Sequence, residues 1–288
     1  MCTVLLALTA ITSCSPGPKN ENNSEPAVRD IPRIVAAADL RLPLQNYLLT
    51  DRQLRDLDRA RVVLIDRCMR KFGFGYTVKQ PAANYGPRSA TERRYGITDA
   101  SDALEYGYGL GNRDPALQKP PAQPSLGVDA QTVLFGKGRS SIKGRKVPDG
   151  GCVSQADQSL GTAAPAGTDP SLAQQLSFQS FDRSKSDSRV RKVTRAWSDC
   201  MADSGYDYTD PLAPLADPGL SGSRSARTID TAKTDIRCKK NTNLVGVWFA
   251  VESAYQKQLI DQNSAQLTAI KRANAARLRA ADGLTARG

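Results

Sequence analysis

The side chains available for chemistry in this chain are carboxylates, hydroxyls, amines and thiols, because the sequence contains no histidine. This absence excludes a Ser-His-Asp triad, a Cys-His pair and any zinc or haem site with histidine ligands. Two carboxylates can still hydrolyse a glycosidic bond, and Ser-Lys hydrolases also work without histidine. Glu105, near a group of tyrosines, and Glu252, on a predicted helix, are the carboxylates that such a glycoside hydrolase would use.

Anion binding is indicated by a glycine-rich basic segment from Gly136 to Val147. Its basic side chains are Lys137, Arg139, Lys143, Arg145 and Lys146. The segment lacks the Gly-Lys-Ser/Thr ending of a P-loop, but backbone N–H groups in such loops can still cradle an anion. We expect a small β-hairpin here, which is either a solvated tip or the binding site for an anionic ligand.

The N-terminal residues have the pattern of an export signal. Residues 1–13 are apolar or small and too few to span a membrane, which is typical of a secretory signal peptide. The end of the run, Ile11-Thr12-Ser13-Cys14, resembles a bacterial lipobox, in which the cysteine becomes the lipidated first residue. A buried N-terminal strand is the alternative. Residues 14–28, rich in Pro, Asn and Ser, are expected to form a flexible tether.

The composition is consistent with this location at the outer face of the cell membrane. Lys and Arg total 40 against 29 Asp and Glu, which gives a formal net charge of +11. A basic envelope protein attracts anionic lipid headgroups and anionic wall polymers. We expect no nucleic-acid partner, because an exported protein rarely meets one, and no cofactor or metal.

A short internal repeat organises the rest of the chain. The segments Cys68–Thr77 and Cys200–Thr209 share Cys, Met, Gly, an aromatic residue, Tyr and Thr at the same offsets. A helix is predicted before each copy, and the first has a capping-box signature at Thr50. Gly73 and Gly205 then suit the left-handed position just past a helix end. The repeat therefore predicts a helix stop beside a cysteine rather than an aromatic ligand platform.

Four of the six cysteines remain after Cys2 is removed with the signal and Cys14 is lipidated. An even number in an exported chain predicts two disulfides, and the absence of CxxC spacing argues against a zinc site. Four cysteines allow three pairings. If each half repeats a helix with its bridge, the pairs are Cys68–Cys152 and Cys200–Cys238.

Other segments have weaker signals. Asp99–Tyr106 predicts a short helix, and Thr132–Phe135 has strand character. Tyrosines near this helix either pack at core edges or bind a ligand; they are Tyr76, Tyr85, Tyr95, Tyr106 and Tyr108. From Leu244 onward an apolar stripe predicts one long C-terminal helix. Its basic end, Lys271–Arg279, is expected to project into solvent, or else to touch the membrane or wall.

Several of these features together resemble those of uncharacterised lipoproteins of actinomycetes. They are the lipobox-like start, the two Cys-Met-x-x-x-Gly-aromatic-x-Tyr copies, Val147–Cys152 and Cys238–Leu244. The resemblance covers most of the mature chain and implies an envelope location. It implies no activity and no catalytic residues.

The sequence predicts a mainly α-helical protein of two disulfide-linked halves with long loops, one small β-hairpin and a long C-terminal helix. The expected halves are residues 29–160 and 188–288, joined by a linker at 161–187. The leading hypothesis is a non-catalytic envelope lipoprotein that binds an anionic wall component or a protein partner. A histidine-free hydrolase of wall glycan and a structural envelope scaffold are the alternatives.

Overall fold

A computed structural model describes residues 24–78, 85–118, 125–161, 169–220 and 224–285. Across these ranges the protein is mainly α-helical, as predicted. The helices are α1 (Asp51–Arg70), α2 (Ala100–Tyr106), α3 (Val128–Phe135), α4 (Gly151–Ser159), α5 (Leu172–Lys185), α6 (Ser188–Ala202), α7 (Ala213–Ala216), α8 (Ala226–Thr242), α9 (Leu244–Gln262) and α10 (Ser264–Thr285). Short 3-10 turns occupy Pro43–Tyr47, Gly111–Arg113 and Pro115–Leu117. One antiparallel hairpin pairs β1 (Ser141–Ile142) with β2 (Arg145–Lys146).

The repeated segments end α1 and α6 in the same way. Gly73 and Gly205 have positive φ angles of 78° and 84°. The N–H of Phe74 donates to the carbonyl of Met69 at 3.1 Å, and the N–H of Tyr206 donates to that of Met201 at 3.0 Å. This is the Schellman pattern, which satisfies helix-end carbonyls. The predicted helix stops are confirmed, as is the capping box at Thr50.

Both predicted disulfides are confirmed. Cys68–Cys152 joins α1 to α4 with a Cα–Cα distance of 5.6 Å. Cys200–Cys238 joins α6 to α8 with a Cα–Cα distance of 5.7 Å. Each bridge lies in a hydrophobic core of its own, the first shared by α1, α3, α4 and the hairpin, the second by α6, α8 and α9.

The two predicted halves are in contact, because two further hydrophobic cores combine residues of both. Ile97 and Tyr108 of the first half pack with Leu220 and Ile236 of the second. Helix α10 packs along α1, so the C-terminal helix lies against the first half. The two halves therefore pack against each other over an extended surface.

Residues 161–187 were predicted as a linker, but they contain α5, which packs against α9. The segment has the composition of a linker because three of its core-facing residues are serines, Ser177, Ser180 and Ser184. The hydroxyls of Ser180 and Ser184 donate to carbonyls one turn earlier, which allows them to be buried. Residues 162–168 lie outside the described ranges.

The strand predicted at Thr132–Phe135 is wrong, because these residues belong to α3. A run of four apolar or β-branched residues does not distinguish a buried helix from a strand by periodicity. Gly136 ends the helix in the left-handed conformation, with φ 67°.

A long C-terminal helix is present, but the helix predicted from Leu244 onward is divided into α9 and α10. Asn263, with φ −121° and ψ 21°, separates α9 from α10, and its side-chain amide donates to the carbonyl of Leu259. Asparagine favours such local bonding over continued helix. The basic end does not extend as a free helix, because Leu278 and Ala281 pack with Leu57 and Ala60 of α1. Its basic residues Lys271, Arg272 and Arg279 are nevertheless exposed.

The tether predicted for residues 14–28 ends earlier than expected. The Glu25 carboxylate accepts bonds from the N–H and the hydroxyl of Ser188, both at 2.6 Å, and Val28 packs on the second disulfide core. Residues 1–23, with Cys14 and the predicted signal peptide, lie outside the described ranges. No helix among the described residues has both the length and the apolar character needed to span a membrane.

Candidate functional site: the basic hairpin

The basic hairpin, residues 137–146, stands on a rigid base. Ile142 and Val147 are only 2% and 5% exposed and pack in the same core as Cys68 and Cys152. The N–H of Val147 donates to the carbonyl of Ser140 at 2.9 Å, which closes the hairpin beyond its two paired strands. The apolar side chains thus point into the disulfide core and leave the basic ones outside.

The turn itself uses two residues with positive φ. Lys143 has φ 50° and Gly144 has φ 74°. This is the combination that a two-residue hairpin turn requires, because its backbone twist matches that of the paired strands. The sequence Lys-Gly at the centre of the basic segment therefore forms the tip.

All five predicted anion-binding side chains, Lys137, Arg139, Lys143, Arg145 and Lys146, belong to exposed residues. Arg139 pairs with Asp129 of α3, and the Lys143 ammonium lies 4.7 Å from the ring centroid of Phe74. Within the described ranges, no carboxylate forms a salt bridge with Lys137, Arg145 or Lys146. These three cations are available to an external anion.

The end of α1 adds positive charge that the sequence analysis did not include. Arg67 and Lys71 are exposed in and just after its last turn. Gly73 follows them, and a Cβ built there would lie 3.0 Å from the Lys143 ammonium, so the helix end and the hairpin tip are adjacent. The basic residues around the first repeat copy were the feature of the sequence that could have indicated this additional positive charge.

Two glycines hold the hairpin segment at its base. A Cβ on Gly136 would overlap the backbone nitrogen of Gly151, and a Cβ on Gly151 would overlap the carbonyl of Leu134. Both glycines also have positive φ, 67° and 72°. The backbone at the end of α3 therefore lies in direct contact with the backbone at the start of α4. These two helix ends flank the hairpin in the sequence.

Replacing Gly136 with Ala is expected to destabilise the fold by about 2–3 kcal/mol, since overpacking adds to backbone strain. Gly205→Ala is the matched control, because Gly205 also has positive φ but a Cβ there meets nothing within 4 Å. That control should lose about 1 kcal/mol. Urea unfolding of both variants measures the difference, and equal losses would show that the glycine contact does not constrain the hairpin.

The carboxylates proposed for a hydrolase do not share an accessible site. Glu252 is fully buried, and its oxygens accept bonds from Arg94 at 2.9 Å, Tyr95 at 2.8 Å and Gln256 at 3.0 Å. Glu105 is exposed on α2. A sugar cannot reach Glu252 in this conformation.

The tyrosines do not form one platform either. Tyr76, Tyr95 and Tyr108 belong to three different hydrophobic cores. Tyr85 is exposed, and Tyr106 is half-buried. The distribution agrees with the interpretation of the tyrosines as packing residues.

A buried ion pair that the sequence analysis missed lies beside the second disulfide. Lys239 donates to Asp235 at 2.8 Å and to the carbonyl of Ile97 at 3.2 Å. Trp197 and Tyr108 also donate to this carboxylate, at 2.9 and 3.2 Å. Burial raises the pKa of Asp235 and lowers that of Lys239, while their mutual attraction opposes both effects. The four-residue spacing of Asp235 and Lys239 on a predicted helix was the feature of the sequence that could have indicated this ion pair.

Among the described residues, no group of three Cys, Asp or Glu side chains is arranged to hold a metal ion. Comparison of the chain with known protein families, with curated proteins and with solved structures finds no match. The lipobox and the resemblance to actinomycete lipoproteins therefore stay predictions from the sequence.

Proposed function

We propose that this protein is a non-catalytic lipoprotein of the cell envelope that binds an anionic wall polymer through the basic hairpin. The lipid on Cys14 would anchor it to the outer face of the cell membrane. The observation that carries the proposal is the exposure of five cations within ten residues on a disulfide-anchored hairpin, four of them without a salt bridge among the described residues.

Charge and rigidity both favour a repeating anion as the ligand. Each exposed cation near an anionic surface contributes on the order of 1 kcal/mol, and the contributions fall with salt. A fixed hairpin loses little conformational entropy on binding, so more of this attraction appears as affinity. Arg67 and Lys71 of α1 would extend the contact beyond the hairpin.

The proposed tether is compatible with a wall ligand close to the membrane. Ten Cα–Cα steps lead from Cys14 to Ser24, where the described chain begins. Fully extended, they span at most about 35 Å. The body would therefore stay within reach of polymers that begin at the membrane surface.

The test is sedimentation of the soluble chain, residues 15–288, with purified actinomycete cell wall. The wall is used intact and with its anionic polymers stripped, over a series of salt concentrations. We expect binding to the intact wall alone, weakening as salt rises. Binding that survives stripping, or that does not respond to salt, would contradict the proposal.

A charge-matched pair of variants tests the hairpin itself. Changing Lys137, Arg145 and Lys146 to Gln is expected to reduce wall affinity at least about tenfold. The control removes the same charge from the exposed face of α6 by changing Arg191, Lys192 and Arg195 to Gln. Equal effects of the two triple variants would mean that net charge, and not the hairpin, determines binding.

A protein partner is the second candidate, favoured by exposed apolar residues on α3. Val128 is 78% exposed and Phe135 is 51% exposed, and because Phe135 lies seven positions after Val128, both are on one face of the helix. Phe135 also immediately precedes the hairpin segment. Phe135→Ser should leave wall binding unchanged if a polymer is the ligand, because an anionic chain gains little from an apolar ring.

A further inference from the structure

A groove lies between α2 and α8, on the side of the molecule that carries the Cys200–Cys238 bridge. Its volume is about 320 Å³. It is lined by Ala100, Ala103, Leu104, Lys233, Ile236, Arg237, Lys240 and Asn241. This volume lies at the lower end of the range for sites that hold small molecules.

The groove has an apolar wall and a basic wall. Ala100, Ala103 and Leu104 present one face of α2, and Leu104 is 55% exposed. The basic residues Lys233, Arg237 and Lys240 recur at four- and three-residue spacing, so they lie on one face of α8. No carboxylate is among the lining residues.

The cations of the groove are only weakly engaged. Lys233 lies 3.9 Å from Asp230, and both side chains are more than half exposed. Arg237 donates to the hydroxyl of Ser204 at 3.1 Å. Neither Arg237 nor Lys240 has a salt bridge within the ranges that the structure describes. An anion placed here would face positive charge without displacing a carboxylate.

The neighbouring residues of α8 fix the basic face in place. Cys238 is bridged to α6, and Lys239 is held by Asp235 in the core. Both residues are buried, which turns the side chains of Arg237 and Lys240 toward the opposite, accessible side. The groove is therefore already formed before a ligand binds.

We propose that this groove binds an amphiphilic anion, with one phosphate or carboxylate group on a short alkyl or acyl chain. The anionic group would lie against Arg237 and Lys240, since charge-assisted hydrogen bonds are the strong ones. The chain would cover the exposed side chains of Leu104 and Ala100, which lie beside the buried Ala103 and Ile236. A simple anion would contact only the basic wall and would leave the apolar wall exposed, so the two walls together indicate a ligand with both an anionic and an apolar part.

The experiment is calorimetric titration of the chain with octyl phosphate below its micelle concentration. Inorganic phosphate and octanol are the two half-ligands, and octyltrimethylammonium reverses the charge. We expect octyl phosphate to bind at least about tenfold more tightly than either half-ligand, since burial of two methylene groups alone accounts for that factor. Amide chemical shifts should change in α2 and α8 and not in the hairpin.

Two double variants locate the site. Arg237→Gln with Lys240→Gln should weaken octyl phosphate at least about tenfold, while Lys192→Gln with Arg195→Gln on α6 removes the same charge and should not. Leu104→Ser should weaken octyl phosphate without changing the response to inorganic phosphate. Equal binding of octyl phosphate and phosphate, equal effects of the two double variants, or tight binding of octyltrimethylammonium would overturn the proposal. Wall binding through the hairpin uses other residues and is tested separately.

Discussion

Replacing Lys239 with Met is expected to lower the free energy of unfolding by about 3–5 kcal/mol, because it leaves the Asp235 carboxylate buried without its cation. Lys239 is 2% exposed and Asp235 is fully buried. Methionine has a similar volume and no charge, so the loss reports the electrostatic contact rather than a cavity. Urea unfolding followed by circular dichroism measures it as a shift in midpoint with little change in slope.

The double variant, Lys239→Met with Asp235→Asn, is the control for this prediction. The amide oxygen of Asn can still accept from Trp197, and no buried charge remains. We therefore expect the double variant to be more stable than Lys239→Met alone, as is typical when both members of a buried pair are removed. Equal stability of the two variants would show that the carboxylate does not depend on Lys239.

The stability of the single variant Lys239→Met is expected to depend on pH, in a direction that follows from the raised pKa of Asp235. Without Lys239 this pKa rises further, because the main attraction that opposes burial is gone. A folded-state pKa above the unfolded value means that the folded protein takes up the proton first as pH falls. The deficit of Lys239→Met relative to the native chain should therefore shrink between neutral pH and about pH 4. A constant deficit would contradict this explanation.

Most of the structural features that could be predicted from the sequence followed from the internal repeat. The helix before each cysteine, the glycine in the left-handed position and the aromatic residue that follows are local features. Their local character explains why α1, α6 and both helix stops are confirmed. The disulfide pairs followed from treating the copies as equivalent units, and the structure agrees although Cys152 and Cys238 have different sequence contexts.

The errors arose where tertiary burial overrides composition. Ser180 and Ser184 are buried because their hydroxyls bond within α5, so a polar segment was mistaken for a linker. The docking of α10 on α1 depends on Leu278 and Ala281, which are too few to distinguish a packed helix from a solvated one. The α2–α8 groove joins residues more than 100 positions apart, and no local pattern in a single sequence indicates such a contact.

The basic hairpin is intermediate between these cases. Its glycines, its turn and its five cations are visible in sequence, and the hairpin is confirmed. The proximity of the α1 end was not visible, because it depends on the Cys68–Cys152 bridge and on the contact between Gly136 and Gly151. The position of the candidate site therefore depends on the covalent link more than on the hairpin strands, which pair over only two residues each.

Removing the Cys68–Cys152 bridge by changing both cysteines to Ala is expected to lower the free energy of unfolding by about 4–5 kcal/mol on the chain-entropy account. The bridge spans 84 residues, whereas Cys200–Cys238 spans 38. Loss of the shorter bridge should therefore cost slightly less, about 4 kcal/mol. Thermal and urea unfolding of the two double variants, with the oxidised native chain as reference, measure both losses.

The two bridge variants should differ more in binding than in stability. Without Cys68–Cys152 the hairpin core loses the covalent tie between α1 and α4, so the cations of the hairpin and of Arg67 and Lys71 are no longer held together. Wall affinity should then fall several-fold at a temperature where both variants are folded, because ordering the hairpin becomes part of the binding cost. The Cys200–Cys238 variant retains this side of the molecule and should bind as the native chain does. If both variants bind equally well, packing of Ile142 and Val147 alone is sufficient to position the hairpin, and the first bridge contributes to stability only.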